Sequence, residues 1–203
     1  MFAYGSPMAT MQLDLLSSGT AELPDPFVPP DRTDLGSGAW IDHSPNWLPG
    51  ADEWFLQMRD NGDWKTAPPV PMYGKMVDTP RLVWWSDEPE KRVSGLADLK
   101  HWFEDHYCRR IHSVSSNWYR DGKDSVAIHR DKFAKPDDTL VAIVSLGARR
   151  PLLVKPDDGG PSRRFPLGHG DLLVMGGTFQ ATHQHGIPKQ SAAEPRISIM
   201  FRT

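Results

Sequence analysis

The chain has 203 residues, which is enough for one domain with a substantial hydrophobic core. Its 19 prolines and 17 glycines and its mean hydropathy of −0.51 indicate a soluble, turn-rich protein. The longest apolar run, residues 139–146, is too short to cross a membrane. The N-terminal residues lack the pattern of a secretory signal, and a single cysteine, Cys108, excludes an internal disulfide, so we expect a cytoplasmic location.

The net charge of −3 is unevenly distributed along the chain. Residues 1–72 carry 10 acidic and 3 basic side chains, whereas residues 73–203 carry 16 acidic and 20 basic ones. The second part could therefore present a positive surface to phosphates, although an ordinary solvated surface has a similar charge. The charge permits a nucleic-acid partner without requiring one.

The first half of the chain contains little regular periodicity. Residues 1–50 are rich in proline, glycine and serine, and predict a loop-rich N-terminal arm. Residues 54–85 are aromatic and irregular. A helix is predicted next, with Ser94 as its N-cap, because apolar residues then recur at helical spacing. These residues are Leu96, Leu99, Trp102, Phe103 and Tyr107.

Beyond this helix the apolar pattern changes to a period of two, which predicts β-strands separated by glycine- and proline-containing turns. One helix followed by about seven short strands predicts a mainly β fold, a sandwich or barrel, of which the jelly roll is one form. The predicted strands cover residues 111–119, 125–131, 139–146, 151–155, 172–175, 183–187 and 196–202.

Histidines and aspartates in these strands suggest a metal site. His129 and Asp131 lie two residues apart and therefore share one face of a strand. Two imidazoles and one carboxylate bind iron(II) and leave coordination positions open. The third ligand could be His183 or His185, since spacing alone does not choose between them. A second His-x-Asp sequence, His169–Asp171, is interrupted and preceded by glycines, and we predict a structural turn there.

The last predicted strand places Arg196, Ser198 and Arg202 on one face. A surface strand would show the same alternation, but a buried face would need an anionic partner for its arginines. A small dicarboxylate could satisfy them through forked hydrogen bonds. Arg196 and Arg202 are six positions apart, a span of roughly 20 Å along an extended strand, which is longer than such a ligand. Either the two arginine side chains converge on the dicarboxylate, or one of the arginines lies at the metal end of the site.

Taken together, these segments resemble the AlkB family of iron(II)- and 2-oxoglutarate-dependent dioxygenases. The resemblance extends from about Met72 to the C-terminus and implies a double-stranded β-helix core over residues 93–203, preceded by a substrate-recognition segment over residues 51–92. The matching segments are Met72–Gly74, Pro80–Leu82, Asn117–Gly122, Ser125–Asp131, Gly168–Gly177, His185–Pro188 and Pro195–Arg202.

The resemblance also implies the cofactors and the residues that hold them. Iron(II), 2-oxoglutarate and O2 are expected, with His129, Asp131 and His185 as the iron ligands. Ser198 stands where the family often has asparagine. The residues implied to bind 2-oxoglutarate are Asn117, Tyr119, Arg196, Ser198 and Arg202.

The implied reaction is oxidative removal of alkyl groups from DNA or RNA bases. Separately, we expect a monomer that has no membrane partner. The alkylated base must leave its stack, and Tyr73, Trp84 or Trp85 could hold it, although each could equally pack in the core. Arg81 is expected to contact substrate or phosphate. Phe133 occupies a position at which the family often has an acidic residue that contacts the base. Two alternatives therefore stay open: a hydroxylase of a protein or small molecule, and an inactive nucleic-acid-binding module.

Overall fold

The computed structural model describes residues 30–72, 74–85 and 91–203. The helices in these residues are α1 (Ala51–Asn61), α2 (Leu96–Tyr107) and α3 (Phe179–Thr182). None of them is long and apolar enough to cross a membrane. The strands are β1 (Asp31–Gly36), β2 (Ala39–Ser44), β3 (Lys65–Thr66), β4 (Val70–Met72), β5 (Lys75–Val77), β6 (Leu82–Trp85), β7 (Ser113–Tyr119), β8 (Val126–His129), β9 (Thr139–Gly147), β10 (Arg150–Pro156), β11 (Arg163–Leu167), β12 (Asp171–Gly177), β13 (His183–Ile187) and β14 (Arg196–Arg202).

Antiparallel strands form two main sheets. The large sheet has the order β1-β2-β12-β9-β14-β7-β6-β3, and the small sheet has the order β11-β10-β13-β8. Strands β4 and β5 form a separate hairpin. The two main sheets confirm the prediction of a mainly β, jelly-roll fold.

Two apolar clusters lie on opposite faces of the large sheet. In the first, Leu99 and Phe103 of α2 pack with Ile199 of β14, and all three side chains are fully buried. In the second, Ile143 of the large sheet lies in one cluster with Leu152 of the small sheet, so the two sheets face each other. Strands β9 and β12 are buried on both faces, which explains their nearly continuous apolar sequences.

The prediction of a loop-rich arm over residues 1–50 is wrong for residues 31–44. Strands β1 and β2 form a hairpin there, and β2 pairs with β12 along its whole length. Ala39 and Ile41 are fully buried. Because β1 has no consistent apolar alternation, the sequence contained little signal for this hairpin. Residues 1–29 lie outside the described part of the chain.

The predicted helix is present as α2, but its start was assigned to the wrong residue. Gly95 is the N-cap, with φ of 84°, and no side chain caps the helix. Ser94 is therefore not the cap. Helix α1 was not predicted, because Trp54 and Met58 are its only buried residues and the rest of its sequence is largely polar.

All seven strands predicted after α2 are present, with ends that shift by a few residues. Strand β11 and the short helix α3 were not predicted. The shortest of the seven is β8, which ends at His129 rather than Asp131. Asp131 therefore follows the strand directly instead of lying within it.

Candidate active site

Three side chains that could bind a metal converge where β8 and β13 pair. The metal-binding atoms of His129, Asp131 and His185 all lie within 4.8 Å of one another. Nε2 of His129 is 3.4 Å from Oδ1 of Asp131, and the ring centroids of the two histidines are 4.5 Å apart. Within the described ranges, no other group of three His, Cys, Asp or Glu side chains meets this condition.

The pairing of β8 with β13 brings the histidines together. His129 and His185 are direct partners in this ladder, and the register shifts between His185 and Ile187. Gly186 lies at the shift, where a Cβ atom would come within 2.8 Å of the carbonyl oxygen of Val126. Glycine at position 186 therefore permits the close approach of the two backbones.

Both histidines have a ring nitrogen that can bind a cation. Burial lowers the pKa of His185 to about 3, so its imidazole is neutral near pH 7. Nδ1 of His185 is buried without a hydrogen-bond partner. Nδ1 of His129 lies 2.9 Å from the carbonyl oxygen of Ala127. A carbonyl can only accept, so Nδ1 of His129 carries the hydrogen and Nε2 has a lone pair for a metal.

Asp131 is held as a carboxylate. Burial alone would raise its pKa, but the contact with His129 and the positive charge of Arg202 outweigh burial and hold the pKa below its usual range. Nε of Arg202 donates to Oδ2 of Asp131 at 2.7 Å, and Nη1 of Arg202 donates to Oγ of Ser115 at 2.6 Å. Arg202 therefore serves the metal end, which was one of the two alternatives left open by the sequence. Oδ1 of Asp131 faces His129.

His183, the alternative third ligand, is not part of this group. Its Nδ1 lies 2.8 Å from Oγ1 of Thr182, and its ring stacks on Phe179 at a centroid distance of 5.3 Å. The structure therefore favours His185 as the third ligand.

The second His-x-Asp sequence has the structural role predicted for it. Nδ1 of His169 accepts a hydrogen bond from the backbone N–H of Gly147 at 2.8 Å. Asp171 accepts backbone N–H groups from Gly168 at 2.6 Å and from Asn46 at 2.9 Å. These bonds tie together three loops near the start of β12.

A cavity of about 220 Å³ lies beside the candidate metal ligands and includes Arg196 in its lining. Arg196 is only 1% exposed. Its Nε donates to Oγ of Ser145 at 2.9 Å, and its guanidinium lies 5.2 Å from the ring centroid of Tyr119. Nη1 of Arg196 is buried without a partner. Since arginine keeps its charge in proteins, this atom indicates an anionic ligand.

The other residues predicted to hold 2-oxoglutarate line the same cavity. Tyr119 pairs with Arg196, and Asn117 pairs with Ser198, in the ladder between β7 and β14. Nε of Arg81 donates to Oδ1 of Asn117 at 3.0 Å. The structure therefore brings the predicted group together and links it to the start of β6.

The predicted substrate residues are placed less uniformly. Trp85 is 63% exposed and lines the cavity, as does Arg81. Trp84 is only 3% exposed, because it points the other way from β6 into the first apolar cluster, and the prediction that it could hold a base is wrong. Phe133 packs against the second cluster and is not part of the cavity lining, which corrects its assignment too. Tyr73 lies outside the described residues.

Arg150 is a residue that the sequence did not single out. It is fully buried and donates to the carbonyl oxygens of Asp121, Asp124 and Pro188 at 3.1, 2.9 and 2.8 Å. Its guanidinium lies 5.6 Å from the ring centroid of Tyr119. Arg150 thus fixes the loops behind this tyrosine. The only available signal was a charged residue at the start of an apolar strand.

Comparison with known proteins identifies the family. Residues 49–202 match the model of the 2OG-Fe(II) oxygenase superfamily. This chain belongs to that superfamily. Among solved structures, OsALKBH1 has a TM-score of 0.60 and 16% identity, with 85% of this chain and all of that chain covered. A 2OG-Fe(II) oxygenase-family oxidoreductase from Burkholderia pseudomallei has a TM-score of 0.53 and 19% identity over 80% of this chain and 84% of that one. Both support the jelly-roll fold.

Curated relatives confirm the resemblance to the AlkB family. Human alpha-ketoglutarate-dependent dioxygenase alkB homolog 3 is 34% identical over 119 residues, which cover 53% of this chain and 42% of the relative. Human DNA oxidative demethylase ALKBH2 is 33% identical over 99 residues, which cover 44% of this chain and 38% of that protein. The matched region therefore spans less than half the length of these relatives.

The cofactors of this superfamily are iron(II), 2-oxoglutarate and O2, and the residues present fit them. Two imidazoles and one carboxylate are the ligand set that suits iron(II) with open positions. The unpaired Nη1 of Arg196 suits a carboxylate of 2-oxoglutarate.

Proposed function

We propose that this protein is an iron(II)- and 2-oxoglutarate-dependent dioxygenase that removes alkyl groups from bases of DNA or RNA. One observation carries the proposal. The group formed by His129, Asp131 and His185 borders a cavity whose lining includes a buried arginine with an unpaired nitrogen, Arg196. A metal group and an anion anchor in one cavity match the needs of this chemistry.

Bound iron(II) would supply the oxidising chemistry, in which O2 and 2-oxoglutarate give succinate and CO2 and one oxygen atom enters a C–H bond of the substrate. Hydroxylation of an N-methyl carbon gives a hemiaminal, which breaks down to formaldehyde and the unmodified base. The protein must bind the co-substrate, fix the ligands and position the alkyl carbon.

The residues of the cavity divide this work. Arg196, which Ser145 holds through a hydrogen bond to Nε, would bind one carboxylate of 2-oxoglutarate, with the ring of Tyr119 beside it. Arg202 neutralises Asp131 and keeps its Oδ2 occupied, so that Oδ1 is directed toward His129. The low pKa of His185 keeps its imidazole in the neutral form that can bind iron.

Trp85 and Arg81 provide the features expected of a base-binding entrance. An exposed indole beside the cavity can stack on an extruded base, and a guanidinium can contact a phosphate. The names of the relatives, which include a DNA oxidative demethylase, support nucleic acid as the substrate class. Phe133, in place of an acidic residue that contacts the base, was an argument for a protein or small-molecule substrate. Because Phe133 lies outside the cavity lining, it no longer supports that alternative.

The decisive experiment measures succinate and formaldehyde from the purified protein with iron(II), ascorbate, 2-oxoglutarate and oligonucleotides. Strands that carry N-methylated bases are compared with unmodified strands of the same sequence. We expect both products to rise only with the methylated strands. Succinate that forms without formaldehyde, at a rate that the methylated strands do not increase, would favour a protein or small-molecule hydroxylase. No succinate would favour an inactive module.

Replacing Trp85 with alanine is expected to lower kcat/KM for the methylated oligonucleotide by about 5- to 150-fold, because one stacked base contributes about 1–3 kcal/mol. Succinate formation without oligonucleotide should not change, since Trp85 is exposed and has no part in holding 2-oxoglutarate. Both rates are measured on the same preparation.

Leu56→Ala is the matched control, because Leu56 is also a large, exposed apolar residue but lies on α1. It should leave both rates unchanged. Equal kcat/KM values for Trp85→Ala and the parent protein would remove Trp85 from the substrate site.

We further propose that the protein acts as a cytoplasmic monomer. The exposed thiol of Cys108 suits a reducing compartment. Sedimentation of the purified protein tests the monomer, and imaging of a tagged chain tests the location.

A further inference from the structure

The backbone that carries Asp131 lies beyond the regular pairing of the small sheet. The ladder between β8 and β13 joins His129 to His185, and it gives Arg130 and Asp131 no strand partner. A metal ligand outside a strand needs another support, because ligand geometry must be held within a few tenths of an ångström. The surrounding side chains provide that support.

The support comes from α3, the short helix that leads into β13. Oε1 of Gln180 accepts the backbone N–H of Asp131 at 2.8 Å. Arg130 donates from Nη1 to the carbonyl oxygen of Ala181 at 3.3 Å and from Nη2 to Asp157 at 2.7 Å. The segment after β8 is therefore fastened to the element that precedes His185.

Of the two side chains that fasten this segment, Gln180 and Arg130, Gln180 is the buried one. It is 0% exposed, and its Nε2 is buried without a hydrogen-bond partner. The donor that faces it, the N–H of Asp131, requires the amide oxygen on this side, so a flipped amide would lose the bond. A buried, unpaired N–H group is destabilising, so stability alone does not explain a glutamine here.

We propose that Gln180 is a positioning residue for the metal site. By holding the backbone of Asp131 against α3, it fixes the distance between Asp131, which follows β8, and His185, which lies on β13. This inference rests on the proposed function, because it assumes that these residues bind iron. Outer contacts that orient metal ligands commonly change metal affinity by about 10- to 100-fold.

The test is Gln180→Met, which keeps the length of the side chain and removes the amide oxygen. Cobalt(II) is titrated calorimetrically into the metal-free protein, and the melting temperature of the metal-free protein is measured in parallel. We expect cobalt(II) affinity to fall about 10- to 100-fold. We expect the melting temperature to change little, because removal of the unpaired Nε2 offsets the loss of the bond to the N–H of Asp131. A structural role would instead lower the melting temperature by roughly 2–4 °C and leave affinity unchanged.

Two further variants make the result specific. Gln180→Glu keeps an oxygen that can accept the N–H of Asp131, and should retain more cobalt(II) affinity than the methionine variant. Gln184→Met is the matched control, because Gln184 lies on β13 and bonds to Asp157 rather than to Asp131. It should bind cobalt(II) like the parent protein.

The outcomes separate this inference from the function on which it rests. If the parent protein and His129→Ala bind cobalt(II) equally weakly, the metal site itself is wrong and the proposed function fails. If the parent protein binds cobalt(II) tightly and Gln180→Met binds it equally well, only the role of Gln180 is refuted. Gln180→Met could fail to fold, and Gln180→Glu then provides the test. Because Gln180→Glu keeps an oxygen that can accept the N–H of Asp131, a cobalt(II) affinity as low as that of His129→Ala, or lower, would refute the role of Gln180.

Discussion

Replacing His129 with alanine should abolish succinate formation from 2-oxoglutarate while leaving the fold intact. His129 supplies one of three ligand atoms, so its loss leaves too few to hold iron(II) in a defined geometry. Its side chain is 40% exposed, and a substitution at such a position changes the free energy of unfolding by about 0.5 kcal/mol or less. Turnover and thermal unfolding of the metal-free protein measure the two effects separately.

His101→Ala is the control for this result. His101 is exposed on α2, and its replacement should leave turnover unchanged. Turnover of His129→Ala at a rate close to that of the parent protein would contradict the ligand assignment.

Replacing Arg196 with methionine should weaken 2-oxoglutarate binding by at least about 30-fold, since loss of one partner of a buried charge pair costs about 2–5 kcal/mol. The free energy of unfolding without 2-oxoglutarate should stay level or rise, because the variant removes a buried charge with an unpaired nitrogen. Weaker 2-oxoglutarate binding without a loss in the free energy of unfolding distinguishes a ligand anchor from an arginine with a structural role. Calorimetric titration with 2-oxoglutarate and urea unfolding check them.

Arg109→Met is the matched control, because Arg109 pairs with Asp138 at the surface and should affect neither quantity. Arg196→Met with unchanged 2-oxoglutarate affinity would exclude Arg196 as the anchor. Arg202→Met should differ from Arg196→Met, because it also leaves Asp131 without its partner and should therefore weaken metal binding.

The period of two in the sequence predicted much of this site. It placed His129 near Asp131, and Asn117 and Tyr119 on one face, and the structure has both features. The same pattern could not choose between His183 and His185, because both lie on one face of β13. That choice depends on the register with β8, which joins His185 to His129 and is set by contacts far apart in the chain.

The role of Arg202 could not be predicted for the same reason. Its partner, Asp131, is 71 residues away, and no local pattern indicates that these side chains meet. Trp84 and Trp85 show a further limit of the sequence. Alternation places their side chains on opposite faces of β6, but the first apolar cluster, which lies on one of those faces, determines which tryptophan is buried.

The central position of β14 has a consequence for how the site assembles during folding. This strand pairs with β7 on one side and β9 on the other, and the bond between Arg202 and Ser115 joins residues 87 positions apart. Contacts of such long range form slowly, so Arg196, the anchor of 2-oxoglutarate, and Arg202, the partner of Asp131, reach their positions only when β14 inserts between its neighbours. Partly folded chains would therefore lack affinity for the diacid, and an excess of it would shift the equilibrium toward the completed sheet.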